Sequence, residues 1–354
     1  MRHLILCGAA ALALVACNQS AGKQDGKAAN GARGGAVVLI DGSSTVFPIS
    51  EALGEEFQKS TGTRVTVGLS GTGGGFKKFC RGETDISGAS RPVKKEEVEL
   101  CRRNGVEYIE LPVALDALAV IVNPGNNWAA CVDVADLKKI WEPRAQGKVK
   151  AWSQVKAGWP NRPLQLFGAG TDSGTFDYFT KAINGEEGAS RGDYTATEDD
   201  NVTITGVAND QNAIGYLGMA YANENQGKVK AIGIRQKDGG CVTPSVEAAR
   251  NATYQPLSRP LFYYVSRKSA DAKAHVRDFV AFAVGPRSAA MVREVGYVPL
   301  PERAYTLAVA KFNARTTGSY FGGGSKVGVT VDELLADAGG GASKAPAAAG
   351  AAGQ

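Results

Sequence analysis

One local plan recurs three times along the chain and limits the possible folds more than any other feature. The segments "DGSSTVFP" (Asp41 to Pro48), "LSGTGGGF" (Leu69 to Phe76) and "AGTDSGTF" (Ala169 to Phe176) each follow a β-type run and precede a helical pattern. Val37 to Ile40 is a short apolar run, Arg64 to Leu69 alternates, and "PLQLF" supplies the run ahead of Gly168. Pro48 suits a first helical turn and Gly62 a helix end. Further along, "TDISGASRPVKKEEVELC" reads as strand, turn and a helix opening after Pro92. "VDVADLKKIWEP" reads as a helix, "AIGYLGMAY" and "VKAIGI" as strands, and Leu261 to Val265 as a strong strand ahead of the helical "AHVRDFVAFAVGP". Strands that alternate with helices predict an α/β class with largely parallel sheets.

The long apolar runs 117–122 and 261–265 read as paired crossovers between two lobes. Lobe I is then 36–116 plus 260–336, and lobe II is 117–259. That is the plan of a hinged, two-lobed receptor.

The ends carry other information. Arg2 and His3 precede an apolar run from Leu4 to Val15, too short to span a bilayer and suited to a signal segment. It closes on Leu14-Val15-Ala16-Cys17, which resembles a bacterial lipobox. That resemblance implies that 1–17 is a lipoprotein signal peptide, that cleavage precedes Cys17, and that its thiol carries a lipid anchor. Residues 18–35 read as a flexible tether and 337–354 as a disordered Ala/Gly-rich tail. The expected location is the periplasm, anchored through Cys17. The formal net charge of +5 on 354 residues is mild and dispersed, which argues against a nucleic-acid partner.

Six cysteines are present, of which Cys7 and Cys17 belong to the leader. Cys80, Cys101, Cys131 and Cys241 remain, an even number suited to an oxidising compartment. Of the three pairings open to them, Cys80 with Cys101 and Cys131 with Cys241 is favoured. No CxxC pair and no metal-ligand cluster is present, so neither metal nor cofactor is expected.

The three loops carry the chemistry. In an open α/β sheet, ligands bind beyond the carboxyl ends of the strands. Helix starts there present unpaired backbone N–H groups and the positive end of the macrodipole. Ser and Thr hydroxyls add donors, and glycine lets the backbone approach closely. Three such ends in one cleft make a cage for a small tetrahedral oxyanion. The competing reading of each segment is ordinary helix capping. "SGTGGG" is not a Walker loop, since no Gly-Lys-Ser/Thr follows, and it fails the dinucleotide spacing at Phe76.

"DGSSTVFPIS", "SGTGGGFKKFCRGETDISGASRP", "ALAVIVNPGN", "LKKIWEP" and "GTDSGTFDYF", followed by "EDDNV", "AIGYLGMAY" and "PLSRPLFYYV", resemble the phosphate-binding protein of the high-affinity phosphate ABC importer, the PstS type. The resemblance covers about residues 36–320. It implies the two-lobed type 2 periplasmic binding-protein fold, with inorganic phosphate held between the lobes and passed, by a monomer, to membrane permease subunits. Carried over residue by residue, it implies a role for the Thr45 hydroxyl and the Val46 N–H, for either Ser70 or Thr72, and for Ser173, Gly174 and Thr175. Two positions depart from the family pattern. Arg91 stands where the family places a carboxylate, and Ala169 where it places an arginine. One reading has Arg91 supply the guanidinium; the other ties it into an ion pair with Asp172 or Asp116. Asp116 and Asp172 are the candidate carboxylates for reading the proton that phosphate carries and sulfate lacks.

Two other functions compete. A phosphatase-like hydrolase needs an activating base, and the chain has only two histidines, His3 and His275. Lys77 follows the second loop, but its helical phase turns it outward. A receptor for sulfate or arsenate needs the same cage. "EDDNV" (Glu198 to Val202) lacks the spacing of a calcium loop and reads as a turn or a contact between lobes.

Overall fold

The computed structural model describes residues 36–320 and residue 327. The leader with Cys17, the tether and the Ala/Gly tail lie outside the described residues.

Nine strands form the main sheet: β1 (Val37–Gly42), β2 (Arg64–Leu69), β3 (Ile86–Ala89), β4 (Tyr108–Val122), β5 (Gln165–Ala169), β6 (Thr195–Thr197), β7 (Ala213–Gly218), β8 (Lys230–Ala231) and β9 (Ser258–Ser266). Their order is β2-β1-β3-β9-β4-β7-β5-β6, with β8 beside β4. Pairing is parallel at both ends, within β2-β1-β3 and β7-β5-β6. Through β3-β9-β4-β7 it is antiparallel. The expected parallel character therefore holds for the flanks and fails at the centre, where β9 runs back along β4.

All fifteen residues of β4 are buried. Its first half was hidden in the sequence because Glu110, Pro112 and Asp116 break the apolar run. Pro112 has no N–H to donate, and the ladder is bulged there: Leu261 faces Ala114 while Phe262 faces Pro112, which leaves Val113 unpaired. Glu110 is satisfied by the Tyr264 hydroxyl at 2.7 Å and the Tyr320 N–H at 2.9 Å. Strand β4 changes partner between Ala117, opposite Ser258 of β9, and Leu118, opposite Gly218 of β7.

Among the described residues four apolar clusters form, two of them large. One gathers Val38, Ile49, Leu53, Phe57, Val265 and Phe279; the other gathers Leu118, Val120, Trp141, Trp152, Phe179 and Tyr216. Full burial of each such side chain contributes about 1.5–3 kcal/mol. Trp128 and Trp159 pack against the same core as Trp141 and Trp152, so all four tryptophans are packing residues.

The helices that matter for the site are α1 (Phe47–Thr61), α2 (Gly71–Phe79), α3 (Lys95–Arg103), α4 (Gly174–Asn184) and α5 (Asp200–Asn209). Helix α1 has Pro48 in its first turn and ends on Gly62 at φ 73°, whose N–H bonds the Gln58 carbonyl at 2.8 Å. The glycine-rich second segment, expected as a loop, is itself the start of α2. Its glycines are required by packing: a Cβ on Gly75 would lie 2.5 Å from Gly42 Cα. Among the described residues, no helix is long and apolar enough to cross a membrane.

Cys80 is bonded to Cys101, joining the end of α2 to α3, and Cys131 is bonded to Cys241 across 110 residues of sequence. The second bond joins two strands of a small separate sheet, Cys131–Val132 and Cys241–Val242, held together by Gly233–Arg235. Closing so long a loop restricts the unfolded chain by about 5 kcal/mol. The double variant C131S/C241S is expected to lose most of that in denaturant titrations while keeping the fold of the main sheet.

Candidate anion-binding site

Three turns leave the carboxyl ends of β1, β2 and β5 and enter α1, α2 and α4. No side chain caps α1 or α2, whereas Ser173 caps α4 by accepting from the Thr175 N–H at 3.1 Å. Capping therefore accounts for Ser173 but not for Thr45 or Thr72.

Thr45 Oγ1 lies 3.1 Å from Thr175 Oγ1. Arg259 Nη2 donates to both hydroxyl oxygens, at 3.0 and 2.9 Å, and Arg259 Nη1 donates to the Gly174 carbonyl at 3.2 Å. The same guanidinium donates through Nε and Nη2 to Asp116 Oδ2, at 3.2 and 3.0 Å. The sheet register sets this ion pair, because Arg259 in β9 stands directly opposite Asp116 in β4.

Gly174 meets the second loop as well. A Cβ on it would lie 2.5 Å from both Thr72 Oγ1 and Ser90 Oγ, which are 3.3 Å from each other. The Gly73 N–H donates to the Asp172 carbonyl at 2.7 Å and holds α2 against the third loop. The Tyr221 hydroxyl donates to the Ser44 carbonyl at 3.1 Å and fixes the first loop. Thr45, Thr72, Ser90, Asp116, Ser173, Thr175 and Arg259 are each no more than 3% exposed. A ligand reaches them only when the surrounding segments part.

Burial pushes the Asp116 carboxyl up to about 6, and the Arg259 charge holds it from rising further. Asp116 Oδ1 is buried with no donor in good geometry, although the Ala117 and Met219 N–H groups lie close enough to favour the charged form. Here a guanidinium and several hydroxyls converge beside a carboxylate oxygen with spare accepting capacity. Such a set suits a tetrahedral oxyanion that still carries a proton.

A model of the PBP superfamily domain matches residues 23–287. The chain belongs to the PBP superfamily, in its PstS-type branch. The protein SphX of Synechococcus elongatus is 52% identical over 85% of this chain and 88% of its own length. The phosphate-binding protein PstS of Staphylococcus saprophyticus is 33% identical over 86% of this chain and 91% of its own. A solved structure from Planctomyces limnophilus, described as "a possible phosphate binding protein", is 43% identical with a TM-score of 0.59, over 80% of this chain and 99% of that one.

In this PBP-superfamily chain, the expected site residues divide. Thr45, Asp116, Gly174 and Thr175 meet Arg259, Thr72 stands against Gly174, and Ser173 caps α4. The Val46 N–H is engaged by the Ser43 carbonyl at 3.1 Å within the first turn. Ser70 Oγ donates to Asp41, so Thr72 is the hydroxyl of the second loop that meets Gly174. Asp172 pairs with Lys77 at 2.8 Å on the exposed rim.

Arg91 is directed elsewhere. Its Nε donates to Asp177 at 2.6 Å, its Nη1 and Nη2 each donate to Glu97 at 2.7 Å, and Nη1 also reaches the Pro92 carbonyl. It is an ion pair, with partners other than Asp172 or Asp116. Removing it strands Asp177, 3% exposed, with Lys94 as its remaining cation at 2.7 Å. Breaking a buried pair this way costs about 3–5 kcal/mol. Arg91→Met is expected to lower stability by an amount near the lower end of that range, read from thermal melts, and to weaken anion binding much less than loss of Arg259.

Sequence reasoning missed Ser90 and Arg259. Ser90 closes the "SGAS" run that the resemblance included, and Arg259 is the one cation inside the apolar "PLSRPLFYYV". A charge two residues ahead of the strand expected at 261–265 was the available signal, and the observed strand begins at Ser258 and includes it.

Proposed function

We propose that this chain captures inorganic phosphate between its two lobes and delivers it to an ABC importer. The observation that carries the reading is the convergence on Arg259 of Thr45 from the first loop, Gly174 and Thr175 from the third, and Asp116. Thr72 and Ser90 stand against the same Gly174. Bound phosphate takes over the hydrogen bonds these hydroxyls now make to one another, with Arg259 as the cation and Thr45, Thr72, Ser90 and Thr175 as donors. Ser173 and Gly174 shape the third loop.

Lobe I is 36–116 plus 260–336 and lobe II is 117–259. The change of partner along β4 at Ala117 and Leu118 supports this division. Phosphate enters when the lobes hinge apart and is enclosed when they close. The chain works outside the cytoplasm as a monomer, tethered through lipidated Cys17. It binds without turnover: Lys77, the amine nearest the second loop in sequence, is held at the surface by Asp172.

Asp116 supplies selectivity. Its free oxygen accepts the proton of phosphate, whereas sulfate meets the same carboxylate as an unpaired like charge. The sign of the pH dependence follows. Above about 6 the Asp116 carboxyl is ionised and rejects sulfate; below it, the protonated carboxyl donates to sulfate instead. The preference for phosphate over sulfate is expected to shrink as pH falls from 7 to 5, and Asp116→Asn to lose much of it at pH 7, both read by competition titration. The function itself is tested by calorimetry of ligand-stripped protein with phosphate, sulfate, arsenate and molybdate. Tight binding of phosphate and weak binding of sulfate support it, and no heat with phosphate refutes it.

A further inference from the structure

A second buried carboxylate stands beside the proposed phosphate site. Asp200 is the first residue of α5 and is 7% exposed. Its Oδ2 is buried without a hydrogen-bond partner, as is Asp116 Oδ1. The Ser44 hydroxyl, one residue before Thr45, contacts it from the first loop. Arg259 from β9 and Asp116 from β4 act on it electrostatically, and so does Asp199, the residue that caps α5. Asp199 is turned toward that helix, accepting from the Asn201 N–H at 2.9 Å. Two phenols complete the surroundings. Tyr221 is held by the Ser44 carbonyl, and the Tyr297 hydroxyl is buried without a partner.

We propose that Asp200 is a second proton-reading residue, so that phosphate binds with one proton more than Asp116 alone would require. The argument is one of charge and donors, and it rests on the reading of the cleft as a phosphate site. Two carboxylates against one guanidinium leave the closed cleft negative before any anion enters. A doubly charged phosphate added to that set would be an uncompensated buried charge. Asp116 Oδ1 and Asp200 Oδ2 each keep accepting capacity, which suits two O–H groups, and dihydrogen phosphate has two. The shared proton sits between Asp200 and a phosphate oxygen, either directly or through the Ser44 hydroxyl. Burial pushes the Asp200 carboxyl up to about 7, with Ser44 and Arg259 opposing and Asp116 reinforcing the rise, so the proton is available near neutrality.

The test is calorimetric titration of the full chain with inorganic phosphate at pH 8, repeated in buffers of different ionisation enthalpy. The buffer dependence counts the protons taken up. Wild type is expected to take up about one proton per phosphate, and its affinity to fall about tenfold per pH unit above the second ionisation of phosphate. Asp200→Asn is expected to remove that uptake and flatten the pH profile. Wild-type binding without proton uptake overturns the proposal, and so does an Asp200→Asn protein that takes up the wild-type number. The first measurement needs no variant, so a misfolded mutant does not shelter the idea. Absence of phosphate heat at every pH would instead overturn the phosphate reading itself.

Discussion

Replacing Arg259 with methionine is expected to weaken phosphate binding at least about 100-fold and to destabilise the folded protein by about 3 kcal/mol. The guanidinium is buried and bridges Asp116, the Gly174 carbonyl and the hydroxyls of Thr45 and Thr175. Charge-assisted hydrogen bonds contribute about 1.5–3 kcal/mol each, and about 1.4 kcal/mol is a tenfold change in affinity. Loss of two such bonds to the ligand reaches two decades. The stability loss has a different origin, because Asp116 remains as a buried charge without its cation. The two effects separate in the double variant R259M/D116L, where an apolar pair replaces the ion pair across the ladder. Denaturant titration is expected to recover most of the stability in that protein, while calorimetry still finds weak phosphate binding. Recovery of both would mean that Arg259 serves the fold alone.

Gly174→Ala is expected to abolish high-affinity binding through geometry rather than charge. The added methyl would lie 2.5 Å from Thr72 Oγ1 and Ser90 Oγ, both short, buried side chains with little room to turn. Contacts that close force backbone shifts. The second and third loops then cannot meet, so the closed cage does not assemble. Calorimetry is expected to show at least a 100-fold loss for phosphate, because the donors of the two loops no longer reach one anion. Small-angle scattering is expected to show no compaction when phosphate is added. A variant that binds and compacts like wild type would mean that the contact between these loops is not the gate of the site.

Much of this was legible in the sequence, for local reasons. Thr45 and the Ser173 to Thr175 run announce themselves because hydroxyls and glycines at a strand-to-helix junction are a short-range signature, whereas Ser70 and Thr72 are told apart only by the bond of Ser70 to Asp41. The division into two halves follows from apolar runs that a single chain can display. What could not be read depends on pairing across distance. Arg259 and Asp116 are 143 positions apart, and only the antiparallel register of β9 on β4 makes them partners. Arg91 misled for the converse reason. Its place beside the "SGAS" turn is local, but Glu97 in the first turn of α3 and Asp177 in α4 decide where its guanidinium points. The glycines of α2 looked like a flexible loop because the backbone they pack against is distant in sequence.

A single oxyanion is expected to sit among Thr45, Thr72, Ser90, Thr175 and Arg259. Arsenate has the shape and protons of phosphate and scatters X-rays anomalously, so a crystal grown with it locates the anion directly. One strong arsenic peak within hydrogen-bond distance of the Arg259 guanidinium and the Thr45 and Thr175 hydroxyls is the predicted result. An arsenic peak elsewhere on the molecule, with Arg259 still bound only to Asp116 and the threonines, would contradict the account.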